Sequence, residues 1–353
     1  RVRGPPCLRR AARARSRRAA TTRAARPLRA LARTWLRSVL VVAGISASVS
    51  CGYSTQITHA DSREPNDPEY SQQWSLPAVA MPQAWSGVTG SRDVKVAVVD
   101  SGVEVLPDLA ANLGEGVTCT PTCVPGAGAD VTGHGTAVAS ILGSVGNNGI
   151  DLAGVAWEVT MLPVRVEGRG GVTSIDGIAN GIRWAVSNGA RVVNLSLITR
   201  GEQPAIAAAI AASPEVLFVV PAGNDSRDID EQQLAVYPCA DPAPNVVCVT
   251  ATGRDAALMP TSNTGAISVD LAAPGADMIA AGRNGNPVFK SGTSFAAPMV
   301  SGAAAIMLAA HPTATAADVK AALVSGATRS SATDNLVAAG FLNVAASLNA
   351  LDQ

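Results

Sequence analysis

Beyond residue 93 the chain alternates between short runs that are apolar at nearly every position and longer segments whose apolar residues recur every three or four places. The runs 94–99 (VKVAVV), 161–166 (MLPVRV), 191–197 (RVVNLSL), 216–220 (VLFVV) and 245–252 (NVVCVTAT) have the length and β-branched content of strands. Within 135–145, Val138, Ile141, Leu142 and Val145 fall at helical spacing, and 174–189 and 204–213 also read as helices. Strands without polar alternation belong to a sheet buried on both faces. The expected fold is therefore α/β, a central and mostly parallel sheet with helices on either side. No internal repeat or linker interrupts the pattern, which predicts a single domain over 66–353 behind a short lead-in, 52–65. The apolar run 295–310 is long, but it contains Pro298 and Gly302 and follows a Gly-Thr-Ser loop. That pattern predicts a buried central helix rather than a membrane span.

Charge changes the picture at the N-terminus. Overall the chain balances 27 Lys and Arg against 27 Asp and Glu. Residues 1–37 nevertheless hold 13 Arg and no acid, which leaves 14 basic against 27 acidic residues, a net of −13, over 38–353. A basic arm of this kind suits nucleic acid, but here it runs directly into WLRSVLVVAGISASVSC. A positive segment, a short apolar stretch and small residues read instead as an export signal over 1–51, and no nucleic-acid partner is expected. Two close cysteine pairs in an exported chain, Cys119 with Cys123 and Cys239 with Cys248, predict disulfides. The alternative, zinc held by Cys119, Cys123 and His134, matches no common zinc spacing.

Reactive groups in a parallel α/β sheet collect beyond the carboxyl ends of its strands. Three stretches there carry unusual residues: Asp100 after VKVAVV, Asn224 in PAGND after LFVV, and His134 in TGHGT before a helix. Of the three histidines, His59 lies in the lead-in and His311 follows a helix, so His134 alone sits between glycines at a helix start. Ser294, in KSGTSFAAPMVSG, stands at the mouth of the apolar helix. A serine nucleophile needs a base, and the base needs a third group to fix its tautomer. Ser294, His134 and Asp100 are one of each. Free N–H groups at the helix start and the Asn224 amide suit an oxyanion. A nucleotide-binding reading lacks both GxGxxG and GxxxxGK[ST] after a strand.

The segments VAVVDSGV, GHGTAVAS, NLSL, PAGN and SGTSFAAPMVSG, in this order, resemble the motifs of subtilisin-type serine peptidases, from about 65 to 345. The resemblance implies a three-layer fold and a serine endopeptidase acting on protein or peptide substrates as a monomer. Asp100 would orient, His134 act as base, Ser294 attack and Asn224 hold the oxyanion. The competing reading is a catalytically silent scaffold that binds peptides. Ser196, Leu197, Ile198 and Gly223 would line the bound peptide. Ile198 and Thr199 stand where the family often has Gly-Gly, Cys239 where relatives often carry a small residue, and Phe295 where Met is commoner. The resemblance further implies structural Ca²⁺ held by Asp67, Asp108 and Asn148 with the carbonyls of Ile150 and Leu152, an all-oxygen set. No catalytic metal is implied. Secreted relatives usually carry a folding-assistant propeptide, whereas only 52–65 separates the expected signal from the domain, which predicts folding without one. Small residues before Cys51 in SVSCG resemble a lipoprotein cleavage site, making Cys51 a candidate lipid anchor outside the cytoplasm.

Overall fold

The computed structural model describes residues 62–353 except Ala127, Arg169 and Pro242. The expected export signal, the anchor at Cys51 and most of the lead-in lie outside the described residues.

In chain order the helices are α1 (Ser75–Ala78), α2 (Met81–Gly87), α3 (His134–Gly143), α4 (Ile175–Ser187), α5 (Pro204–Ala211), α6 (Thr293–Ala310), α7 (Ala316–Ser325) and α8 (Val344–Leu351). The strands are β1 (Gly90–Asp100), β2 (Val117–Cys119), β3 (Cys123–Pro125), β4 (Glu158–Arg165), β5 (Val192–Leu195), β6 (Leu217–Pro221), β7 (Val246–Thr252), β8 (Leu271–Pro274), β9 (Met278–Ala281), β10 (Pro287–Lys290) and β11 (Gly340–Phe341). Nine strands form one sheet in the order β11-β8-β7-β6-β5-β1-β4-β2-β3. Every pairing in it is parallel except β2 with β3. The β9–β10 hairpin stands apart as a second, antiparallel sheet.

Parallel register decides where chemistry can sit. Asp100 pairs with Arg165, Val99 with Leu195, and Asn194 with Val219, so β1, β5 and β6 all open on the same edge. Apart from the buried Asn194, their interiors are Val, Ala, Leu and Phe at positions with almost no exposure, which is why these strands lack polar alternation. Helix α6 packs against β1, β5, β6, β7 and β8, and α3 packs against α6. By length and composition alone α6 could cross a membrane, yet nearly all of it is buried in this core. Its small residues permit the close approach. A Cβ on Gly302 would fall 2.5 Å from that of Val155, so even Ala is excluded there.

Both expected disulfides are present. Cys119–Cys123 closes the β2–β3 hairpin, and Cys239–Cys248 ties the loop after β6 to β7. Bonded to each other, Cys119 and Cys123 offer no thiolates for zinc.

Candidate active site

Asp100 ends β1 and is buried. Its Oδ1 accepts the Ser101 N–H at 2.7 Å and lies 2.8 Å from His134 Nδ1, with Oδ2 at 3.0 Å. Nδ1 therefore carries the proton toward the carboxylate, and Nε2 is left as the basic nitrogen. His134 is the first residue of α3, behind Gly133 at φ 84°, a left-handed turn that glycine adopts freely. Burial disfavours the imidazolium. The Asp100 carboxylate and its hydrogen bond, with Asp130 and Glu167 behind them, outweigh that penalty and raise the His134 pKa.

Asp130 is a determinant that the sequence reading missed. Fully buried, its Oδ1 accepts Ser101 Oγ–H at 2.6 Å, Gly133 N–H at 2.8 Å and Thr132 N–H at 3.1 Å. Its Oδ2 accepts both the N–H (2.8 Å) and the hydroxyl (2.6 Å) of Thr136. Ser101 Oγ in turn accepts the Gly135 N–H at 3.0 Å. One carboxylate thus pins the turn that carries His134 to the residue following Asp100. Burial alone would raise its pKa, but the donated hydrogen bonds hold it below the ordinary aspartate value. The only sequence signal was an Asp four residues before the histidine.

Ser294 is the second residue of α6, not the first. Thr293 precedes it, wholly buried, accepting the Gly223 N–H at 3.1 Å and donating its own N–H to Asn224 Oδ1 at 2.9 Å. The Thr293 hydroxyl adds a second contact to the same Oδ1 at 3.2 Å. With Oδ1 so held, Asn224 Nδ2 is the free end of an exposed amide, and among the described residues it donates to nothing. The His134 ring lies 5.2 Å from that of Phe295, the residue after the serine. Ser294 Oγ is 3.5 Å from the Ser196 carbonyl, a long contact of the kind common in a resting site.

Pro298 lies inside α6. Counted from Thr293 it falls in the second turn, where its missing N–H should have bonded the carbonyl of Ser294, four residues back. The Ser196 hydroxyl takes up that carbonyl instead, at 3.1 Å. Asn194 Nδ2 donates to Ser196 Oγ at 2.8 Å, and Ser301 Oγ donates to Asn194 Oδ1 at 2.9 Å. This buried chain fastens the end of β5 to the helix that presents Ser294.

Of the expected peptide-lining residues, Ser196 and Gly223 are buried, whereas Leu197 and Ile198 are half-exposed at the open edge. Asp67, Asp108 and Asn148 meet elsewhere. Asp67 accepts the N–H groups of Asn147 (2.6 Å) and Asn148 (3.1 Å), and Asp108 accepts Asn148 Nδ2 (2.9 Å) and Leu152 N–H (3.2 Å). Ile150 N–H binds Asn148 Oδ1 at 2.7 Å, and no hydrogen bond among the described residues reaches the carbonyls of Ile150 or Leu152. Burial pushes Asp108 up to about 6, with the Asp67 charge adding to the rise against the donors that oppose it. No group of three or more His, Cys, Asp or Glu side chains forms a metal cluster among the described residues.

Residues 91–341 match the model of the subtilase family. Subtilisin Savinase from Lederbergia lenta is 34% identical over 278 residues, covering 77% of this chain and 97% of its own length. Halolysin from Haloferax mediterranei is 34% identical over 263 residues, covering 72% of this chain, which spans about half (49%) of that longer protein. Among solved structures, a protease from Pseudoalteromonas arctica superposes with a TM-score of 0.70 at 29% identity, over 82% of this chain and 100% of that one.

Proposed function

The chain belongs to the subtilase family and is a serine endopeptidase, and from that premise we propose that it cleaves peptide bonds through an acyl-enzyme on Ser294. His134 Nε2 takes the Ser294 proton as Oγ attacks the substrate carbonyl carbon. The carbonyl oxygen becomes an oxyanion, met by Asn224 Nδ2 and by the Ser294 N–H, which as a first-turn helix amide has no partner within the helix. Asp100 stabilises the imidazolium. His134 then gives its proton to the leaving nitrogen, the C–N bond breaks, and an ester remains on Oγ. Water, deprotonated by the same Nε2, attacks the ester and releases the acid and the free serine.

The observation that carries this reading is the His134–Asp100 hydrogen bond at 2.8 Å beside the start of α6, with Asn224 held there by Thr293. The test is casein hydrolysis by wild type and by Ser294→Ala at matched folding, judged by thermal melting. Activity should vanish in the variant. Equal hydrolysis by both would refute the assignment, and binding of casein without hydrolysis by either would favour the silent scaffold.

The peptidase domain is taken as 66–353. Export is supported by the two disulfides and by the Arg-rich, then apolar, leader. Calcium is proposed as a structural ion. The donor chemistry fits, since two buried carboxylates, Asp67 on the Asn148 backbone N–H and Asp108 on its side-chain amide, with carbonyls beside them, present oxygens and no sulfur or imidazole. Asp67, Asp108, Asn148 and the carbonyls of Ile150 and Leu152 would hold it, neutralising charge that the protein itself leaves uncompensated.

A further inference from the structure

The edge where β5 and β6 end holds a feature that bears on which bonds are cut, and its interpretation rests on the peptidase reading above. Place the scissile carbonyl carbon at Ser294 Oγ, its oxygen at Asn224 Nδ2 and the leaving nitrogen toward His134. The residue on the acyl side then hangs its side chain between the chain leaving β5, 196–199, and the chain leaving β6, 222–224. Ile198 stands in that gap. A Cβ built on Gly223 would lie 2.5 Å from Asn263 Nδ2 and 3.0 Å from Ile198 Cδ1, so the tip of the isoleucine side chain rests against the glycine, with the Asn263 amide on its other flank.

Its neighbours keep it there. Thr199 exchanges both backbone hydrogen bonds with Tyr237, at 3.0 Å each, so the segment after Ile198 is clamped in an antiparallel bridge. Two residues beyond Tyr237, the buried Cys239 is bonded to Cys248 on β7, and its Sγ lies 3.4 Å from the carbonyl of Pro221 at the end of β6. Arg200 pairs with Asp225 at 2.6 Å, bridging the same two chains further out. A large side chain could enter only if Ile198 left its position while the clamp held its backbone.

We propose that Ile198, backed by the Thr199–Tyr237 bridge and the Cys239–Cys248 disulfide, closes the acyl-side slot. The enzyme then selects substrates with a small residue, Gly, Ala or Ser, immediately before the cleaved bond. Steric rejection in an apolar slot amounts to tens- to a hundredfold per misfit of this size.

The test uses succinyl-Ala-Ala-Pro-X p-nitroanilides with X as Ala, Leu and Phe, with active sites counted by a fluorophosphonate. Wild type should favour Ala over Phe by roughly 100-fold in kcat/KM. Ile198→Gly should raise the Phe-to-Ala ratio by a similar factor, and Ile198→Ala serves if the glycine variant fails to fold. The conservative Ile198→Val should keep the preference for Ala. A wild type that cleaves Phe as well as Ala, or a ratio that Ile198→Gly and Ile198→Ala leave unmoved, overturns the inference while the peptidase reading stands. Absence of both labelling and hydrolysis for every X overturns the two together.

Discussion

Two buried carboxylates, Asp130 and Asp108, sit in loops at 0% and 2% exposure and face opposite fates. Asp130 accepts hydrogen bonds from Ser101, Thr132, Gly133 and Thr136, and its pKa falls. Asp108 has two donors, Asn148 and Leu152, but burial outweighs them, with the Asp67 charge a lesser addition, and its pKa climbs to about 6. The difference lies in how many hydrogen bonds meet the buried charge, five at Asp130 and two at Asp108. The turn that carries His134 is therefore held by its own side chains, whereas Asp67 and Asp108 form a clasp, the anionic site at which calcium is proposed.

The widest separation between the two regions should appear in rate. Ser294→Ala and His134→Ala should each cost on the order of 10⁶ in kcat, the subtilisin magnitude, and the double variant little more because the residues act as a unit. Asn224→Ala should cost about 10²–10³. Substitutions in the clasp should leave kcat within about twofold near 25 °C, since nothing there touches the reacting atoms. A tenfold fall in kcat for Asp108→Ala would break the comparison.

Stability should separate the two carboxylates in the opposite sense. Asp130→Ala strands several buried donors and should destabilise by roughly 3 kcal/mol in denaturant unfolding. Because the folded pKa of Asp130 is depressed, its contribution is present above the unfolded value and is lost as pH falls through the folded one. Asp108→Asn in the presence of a chelator should be neutral or stabilising, because it removes a charge that lacks a counterion. Calcium at 100 times its Kd should stabilise wild type by about 2.7 kcal/mol, and this gain should disappear in Asp108→Ala. Trp157, which packs against Gly146 beside the clasp, supplies a fluorescence readout independent of activity. Identical melting with and without chelator would remove the cation from the account.

These two carboxylates also mark the limit of what was legible in the sequence. Strands β1, β4, β5, β6 and β7 were visible because each is a continuous apolar run, and Asp100, His134, Asn224 and Ser294 because each sits in a short motif. Asp130 was not, since its partners are mostly backbone N–H groups, which leave no mark on residue identity. Strands β2, β3, β8 and β11 and the β9–β10 hairpin escaped because they are short and lack the extended β-branched runs that marked the others. The capping of the Ser294 carbonyl by Ser196 depends on Pro298 lying in the second turn of α6, where it leaves that carbonyl without its helical partner. Ser196→Ala should therefore lower kcat more than it raises KM, by about tenfold for one lost positioning hydrogen bond, with Ser196→Thr restoring part of it.

The smallest effect concerns pH. Activity needs neutral His134, so kcat/KM should rise through an apparent pKa above the ordinary histidine value and remain high in mild alkali. The charges facing the ring are Asp100, Asp130 and Glu167, and Glu167 is the outermost. Glu167→Gln should shift this limb slightly toward acid without changing the plateau. A shift toward alkali would contradict the sign.

The most direct measurement of the central claim is mass mapping after a fluorophosphonate reacts with the protein in the presence of a chelator. A catalytic corner assembled from its own side chains should place one label on Ser294 at the rate seen with calcium, and label should be lost in His134→Ala. A label on another residue, or none until calcium is restored at a temperature where the fold persists, would contradict it.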